Sequence, residues 1–496
     1  MTSSPKSVSP AIAGGASARE PQFMTPDELQ SARGGSWAVR PAAAGRTSGV
    51  GTDTRCDLTN RIFFALSGER HDAHDHLLEA ARSGARILVV EESKWGRVRL
   101  AGGPLFAVLL VSDTRKALQA AARSWRRGLL GTEVVAVTGS AGKTTTRRLI
   151  EGVLATRFVG SASPKSFNND IGVPITLCQS RRGDGYLLVE IGMNAPGEIA
   201  ALAALAAPDV AVVTNVGRAH LEGLGSLDAI IREKFDLVSS LRSGGLAVVR
   251  GDSTLLDAAL EGARPTGVRA VRFGEGPMNH VRLRSRSPRA DGGQDVVAEV
   301  CGRRLELRLA LDGAHNAMNA MAAIAVGIDR GLSDAEIAAG LASVRPSEMR
   351  FVRQSIGGLT IFNDAYNANP EAMLAALATF SEIAPHGARR VTVLGDMLEL
   401  GPASPVLHAE VGHAVGKGVG GPPPNVAIFV GTLSAHAAHA CADHGSCKVI
   451  HVPDLGPASV SAIVEEFRPG DAVLLKGSRG TALERLLAKL QDKVAA

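Results

Sequence analysis

Cysteine is scarce and scattered. The five cysteines in 496 residues (Cys56, Cys178, Cys301, Cys441, Cys447) are odd in number and form no CxxC pair. Neither a disulfide framework nor a zinc pattern is indicated, and a reduced, cytoplasmic setting fits best. Aromatic residues make up only 4%, so the core must be built largely from Ala, Val and Leu, which suits α/β packing. Long apolar runs are missing too. The longest, such as residues 105–111, fall far short of the ~20 needed to span a bilayer, and no stable membrane association is expected. A strong excess of one charge is also lacking. A net charge of +5 over the whole chain gives little reason to expect a nucleic-acid partner. The one dense basic stretch, residues 281–289, alternates Arg with Leu and Ser and reads as a solvated strand followed by a turn. The first 22 residues are rich in Ser, Ala, Gly and Pro without the apolar stretch of a signal peptide, and read as a disordered tail.

What is present is regular alternation. The length implies two to four domains. After the tail come short apolar runs, with buried strands expected at 87–90 and 105–111 and a helix near 114–125. Residues 128–132 form a polar, Gly-containing break and a candidate boundary. From Val134 the pattern becomes strand, helix, strand, helix, with strands at 134–137, 187–189, 210–214 and 246–249, as βαβ units and a parallel sheet require. Residues 270–311 carry strands without helices, which suggests an antiparallel addition. A second alternating block, with strands at 360–362, 391–394, 426–430 and 472–475, reads as another doubly wound domain.

The strongest local motif is Val134-Val135-Ala136-Val137-Thr138-Gly139-Ser140-Ala141-Gly142-Lys143-Thr144-Thr145. An apolar strand runs into a Gly-rich turn and then a helix. Glycines let backbone N–H groups approach phosphate oxygens, and the helix N-terminus adds partial positive charge. Lys143 would reach the outer phosphates of a nucleotide and Thr144 would ligate Mg²⁺. The motif is shorter than the common form, with Val137 where a Gly is usual.

Three further positions could serve a metal or a reaction. Glu190 ends the apolar run 187–189, and strand carboxyl ends face the ligand crevice in such sheets. His220 follows the next strand end. Lys234, within Arg232-Glu233-Lys234-Phe235-Asp236, taken alone reads as part of a surface ion-pair face.

Taken in order, these residues resemble the Mur ligase family. The matching stretches are the loop 139–145, Asn168-Asn169-Asp170-Ile171-Gly172, Glu190-Ile191-Gly192, Thr214-Asn215-Val216-Gly217 with Ala219-His220, and Lys234. They continue with Gly313-Ala314-His315-Asn316 to Asn319, Met349-Arg350, Asp364-Ala365-Tyr366-Asn367-Ala368-Asn369-Pro370, Gly395-Asp396-Met397-Leu398-Glu399-Leu400-Gly401 and Lys476-Gly477-Ser478-Arg479. Tyr366 to Pro370 and Gly395 to Gly401 are similar to the branch that adds D-alanyl-D-alanine. An Asp-Asn-Pro-Arg, expected of a diaminopimelate-adding relative, is absent. Asp53-Thr54-Arg55 and residues 63–75 look like a UDP-sugar-binding region. Departures from the pattern are Ala73, the lack of an Asn before the Asp in Arg250-Gly251-Asp252, Asn363 and Asp236.

The resemblance implies an α/β protein of three domains: a small UDP-sugar-binding α/β domain at 23–130, a central P-loop ATPase domain with a mostly parallel sheet at 131–345, and a C-terminal Rossmann-like ligase domain at 346–496. It implies a monomeric, cytoplasmic, ADP-forming enzyme that joins D-alanyl-D-alanine to UDP-N-acetylmuramoyl-tripeptide with ATP and Mg²⁺, through an acyl phosphate. Gly139, Ser140, Ala141, Gly142, Lys143, Thr144, Thr145, Asn316 and Asn319 would hold ATP. Thr144, Glu190, His220 and a carbamylated Lys234 would hold metal. Lys143, Lys234, His220, Arg350 and Asp364 would carry the reaction. The alternatives are a diaminoacid-adding relative, a P-loop regulatory NTPase, and a nucleotide-sugar-binding scaffold without activity.

Overall fold

Runs such as Val134 to Val137 are apolar on both faces, and a strand of that kind is stable only inside a sheet covered on both sides. The computed structural model shows three such sheets. It describes residues 23–68, 71–96, 106–164 and 166–495, so the expected tail and Glu69-Arg70 of the N-terminal motif lie outside the described residues. The chain divides into two compact units, one reaching to Ala121 and the other beginning at Ala122.

The first unit holds a five-stranded sheet in the order Ser36–Val39, Ala107–Val111, Ile87–Glu91, Ile62–Phe64, Val50–Gly51, parallel except for the first strand. Phe63, Leu77, Leu88, Val90 and Val108 form its core. The helix Pro26–Arg33 opens with a capping box, Thr25 and Glu28 satisfying each other's backbone N–H.

The second unit holds two sheets. The larger has nine strands, and Glu133–Thr138 lies between Tyr186–Glu190 and Val210–Val213, parallel to both. Leu246–Arg250 and Arg269–Gly274 continue the parallel part. The expected antiparallel addition is there: Val281–Pro288, Gln294–Val300 and Arg303–Leu309. The basic stretch forms the first of these strands. Its arginines are paired, Arg282 with Glu299 at 3.3 Å and Arg286 with Glu382 at 2.8 Å. Helices Lys143–Leu154, Ala314–Asp329 and Asp334–Ser343 cover one face. Two of them cross at glycines, since a Cβ on Gly340 would lie 2.5 Å from the Gly152 carbonyl.

The second sheet has the order Val352–Ile356, Leu359–Asp364, Ala472–Lys476, Arg390–Gly395, Val426–Val430, Lys448–Val452, all parallel but the first. Its register sets Asp364 beside Lys476 at the carboxyl ends of neighbouring strands. Among the described residues no helix is long and apolar enough to cross a membrane.

Candidate active site

The loop after strand Glu133–Thr138 is held by the end of the neighbouring strand. A Cβ on Gly139 would lie 1.9 Å from Thr214 Oγ1, so only glycine permits the approach. Asn215 accepts from the Ala141 N–H through its side chain at 2.8 Å and from the Ser140 N–H through its carbonyl at 3.1 Å. The Ser140 hydroxyl donates to the Gly217 carbonyl and accepts from the Gly217 N–H, each at 2.9 Å. Gly142 takes a left-handed φ of 78° and starts helix Lys143–Leu154, whose N-terminus no side chain caps. Uncapped N–H groups and the helix dipole make an anion site. Lys143 folds back and donates from Nζ to the Gly139 carbonyl at 2.7 Å. Burial lowers its pKa, Glu190 opposes that, and Arg350 adds to the lowering.

Glu190 is buried and orders the oxygens beside the loop. Thr144 Oγ1 donates to its Oε2 at 2.9 Å, and Asn168 Nδ2 donates to its Oε1 at 3.0 Å. Ser166 Oγ stands 3.3 Å from Thr144 Oγ1. These are hard oxygen donors of the kind Mg²⁺ takes. Among the described residues no three His, Cys, Asp or Glu side chains gather into a cage. One carboxylate and two hydroxyls beside a phosphate loop are donors of the kind used by an ion that also keeps waters and binds substrate phosphates.

His220 sits at φ 61° with Nδ1 2.6 Å from Glu399 Oε2, on a loop of the second sheet. His220 holds the Glu399 carboxyl below its usual range. Glu399 is itself left-handed, at φ 63°.

Lys234 is not on a surface. It lies fully buried on helix Leu227–Ser239 with Ile230, Phe235 and Leu237. Glu233 is occupied elsewhere: its carboxylate accepts from the N–H groups of Gly197 at 2.8 Å and Ile199 at 2.9 Å, at the start of helix Glu198–Ala206. Among the described residues no ion pair joins Lys234 to Glu233 or Asp236. Burial pushes the Lys234 pKa well below the usual range, Lys143 pushes the same way, and Glu233 opposes.

The second sheet closes the cleft. Arg350 stacks over the Tyr366 ring, 4.0 Å from its centroid, with Nη2 3.4 Å from Thr144 Oγ1. Its neighbours Met349 and Phe351 are both left-handed, at φ 57° and 56°. Asp364 accepts from the Phe351 N–H at 3.1 Å and from Lys476 Nζ at 2.6 Å. Asn369 caps helix Pro370–Ile383 and lies 3.4 Å from the Ser140 carbonyl. Arg218 reaches Glu371 at 2.8 Å and Glu410 at 2.7 Å.

Of the residues expected from the sequence, Ser140, Ala141, Gly142, Thr145, Asn316, Asn319, Arg350 and Asp364 line one cleft. Thr144 and Glu190 adjoin it through the bonds above. The cleft also takes in Arg250, His315 and Lys476, which stand among the matching stretches and departures in the sequence but had been given no role. Arg250 and Lys476 each end an apolar strand, the same signal that marked Glu190. His315 is held near neutral by its surroundings, its pKa lowered to about 4 by burial.

Residues 137–327 match the Mur ligase middle domain and residues 349–479 the Mur ligase glutamate ligase domain. A Bacillus subtilis (strain 168) protein named UDP-N-acetylmuramoyl-tripeptide--D-alanyl-D-alanine ligase is 35% identical over 445 residues, covering 89% of this chain and 93% of that one. MurF from Acinetobacter baumannii superposes with a TM-score of 0.81 at 28% identity, covering 95% of this chain and 100% of that one. MurF ligase from Thermotoga maritima, solved in complex with ADP, gives 0.73 at 25% identity, covering 90% and 97%.

Proposed function

The chain belongs to the Mur ligase family, and on that premise we propose that it joins D-alanyl-D-alanine to UDP-N-acetylmuramoyl-tripeptide, with ATP cleaved to ADP and phosphate, in assembly of the peptidoglycan precursor. The observation that carries the reading is the meeting of the phosphate loop with Arg350 and the Asp364–Lys476 pair in one cleft.

In this reading the tripeptide carboxylate attacks the γ-phosphorus of ATP, ADP leaves, and an acyl phosphate forms. The amine of D-alanyl-D-alanine then attacks the acyl carbon, and phosphate leaves. Carboxylate and triphosphate repel each other, so the first step needs concentrated positive charge. Lys143, Arg350 and the open helix N-terminus supply it from this chain. An acyl phosphate reacts readily with water. The clasp of Arg218 on Glu371 and Glu410 ties the second sheet to the loop, and a closed cleft would keep water from the intermediate. Thr144 and Glu190 would hold Mg²⁺, with His220 at its border, and the ion would neutralise phosphate charge. Tyr366 stacks on Arg350 and keeps its guanidinium turned to the loop.

Lys234 fits as a carbamylated residue. Its amine is buried without a carboxylate partner, and burial, with Lys143 beside it, lowers its pKa well below the usual range. An uncharged amine is the form that combines with CO₂, and the product offers two oxygens to a hard cation. The remaining assignments follow the same reading: a UDP-sugar domain at 23–130, an ATP domain at 131–345, a ligase domain at 346–496, and a monomer in the cytoplasm.

Phosphate release with UDP-N-acetylmuramoyl-tripeptide and a panel of amines tests the choice of acceptor. D-Alanyl-D-alanine should support turnover while free L-lysine and diaminopimelate should not. Turnover with a diaminoacid and the dipeptide precursor would overturn it.

A further inference from the structure

Away from the cleft, two thiols meet. Cys441 ends the apolar part of helix Ala435–Ala442, and Cys447 directly precedes strand Lys448–Val452. The turn between them brings the two Sγ atoms to 3.7 Å. The sulfurs differ in environment. Cys441 is fully buried among Val411, Val415 and Ala438, whereas Cys447 is partly exposed. The hydrogen bond from Cys441, helped by Ser446, draws the Cys447 thiol down to about 7, while the same contact and burial push Cys441 up. One sulfur is therefore open and readily ionised, and the other is shielded directly behind it.

A metal does not account for the pair. Among the described residues no third His, Cys, Asp or Glu joins it. The imidazole of His444, between the two cysteines in sequence, instead faces His413, with nitrogens 3.2 Å apart. Two sulfurs alone do not complete a tetrahedral site. The segment from Cys441 to Cys447 is also short, so a bond across it would restrict the unfolded chain little. Such a bond is suited to exchange rather than to holding the fold.

We propose that Cys441 and Cys447 form a dithiol modification site that reacts with low-molecular-weight disulfides and closes reversibly to an intramolecular disulfide. The Cys447 thiolate attacks one sulfur of the external disulfide, and a small thiolate leaves. The Cys441 thiol gives up its proton, its sulfur attacks Cys447 Sγ, and the second small thiolate leaves. The protein dithiol is oxidised and one external disulfide is reduced to two thiols.

The test uses the full chain and oxidised glutathione near pH 7, followed by iodoacetamide, trypsin and mass spectrometry. The tryptic peptide spanning residues 418–448 carries both cysteines. It should lose two hydrogens and take no alkyl group, and dithiothreitol should restore both alkylation sites. In Cys441→Ser, Cys447 should stop at a stable glutathione adduct. Two alkyl groups on the wild-type peptide after treatment, or a lasting glutathione adduct on it, would overturn the proposal. So would stoichiometric zinc in the reduced protein that blocks both thiols.

Discussion

The two ends of the parallel strands in the central sheet carry similar charges and arrange them differently. At the amino-terminal end a cleft is lined by Glu133, Asp209, Arg242, Arg269 and Arg330. There the cations have carboxylate partners: Arg330 with Glu133 at 2.6 Å, Arg242 with Asp209 at 2.7 Å, and Arg269 with Asp329 at 2.5 Å. At the carboxyl end, among the described residues, Lys143, Lys234 and Arg350 have no carboxylate at ion-pair distance. Lys143 leans on a carbonyl, Lys234 is packed in apolar surroundings, and Arg350 lies on an aromatic ring. Desolvated cations without partners cost stability, and an end of the sheet that retains Lys143 and Arg350 in that state is built around an anion from outside, while burial disfavours the charged form of Lys234. Pairing, rather than the presence of charge, separates a cleft that closes a fold from one that performs a reaction.

The largest effect is expected at Lys143. Lys143→Ala should lower kcat by on the order of 10²–10³-fold or more, since the charge acts most strongly as the phosphoryl group transfers. Its melting temperature should stay level or rise, because no ion pair is lost. Phosphate release and thermal unfolding check both halves, and near-normal turnover would remove Lys143 from the reaction.

Lys234 comes next. Lys234→Ala should be nearly inactive and partly rescued by acetate, which would return two oxygens to the vacated space, and stripping bicarbonate should slow the wild type. Lys234→Met, which fills the same apolar surroundings without an amine, should unfold at a higher temperature than wild type. A fully active Lys234→Ala would defeat the carbamylation reading whatever its stability.

The smallest effect lies at the opposite end. Burial lifts the Glu133 carboxyl to about 7 against the attraction of Arg330, with Asp329 and Asp209 adding to the rise. Unfolded, it titrates near 4.5, so between those values the folded state holds the extra proton. Its contribution to stability therefore falls as pH rises through that window, by at most about 3 kcal/mol. Glu133→Gln should turn over normally and lose less stability than wild type between pH 5 and pH 8 in denaturant titrations. A matching pH dependence in the two proteins would show that the Glu133 carboxyl titrates alike in the folded and unfolded states.

Much of this was legible because strands announce what they deliver. The runs ending in Thr138 and Glu190 are apolar to their last residues and then change abruptly, and the parallel register brings both ends to the same edge. Lys234 misled because its neighbours in sequence are charged. Its spacing from Ile230 and Leu237 instead puts it in the apolar stripe of its helix, a signal that periodicity carries and composition hides. The approach of Glu399 to His220 and of Ser166 to Thr144 was not legible, since neither follows from the periodicity of one element. The Cys441–Cys447 pair was passed over because the spacing is not CxxC, and only the turn between helix and strand brings the sulfurs together.

The left-handed backbone at Met349 and Phe351 has a consequence on another timescale. Side chains of that size are disfavoured there by about 1 kcal/mol or more each. Glycine at Met349 would lift the penalty there, whereas at Phe351 it would also remove a buried side chain that lines the cleft and packs on Phe362. Over generations that leaves the strain of the segment joining the two sheets adjustable at Met349, a position that does not line the cleft.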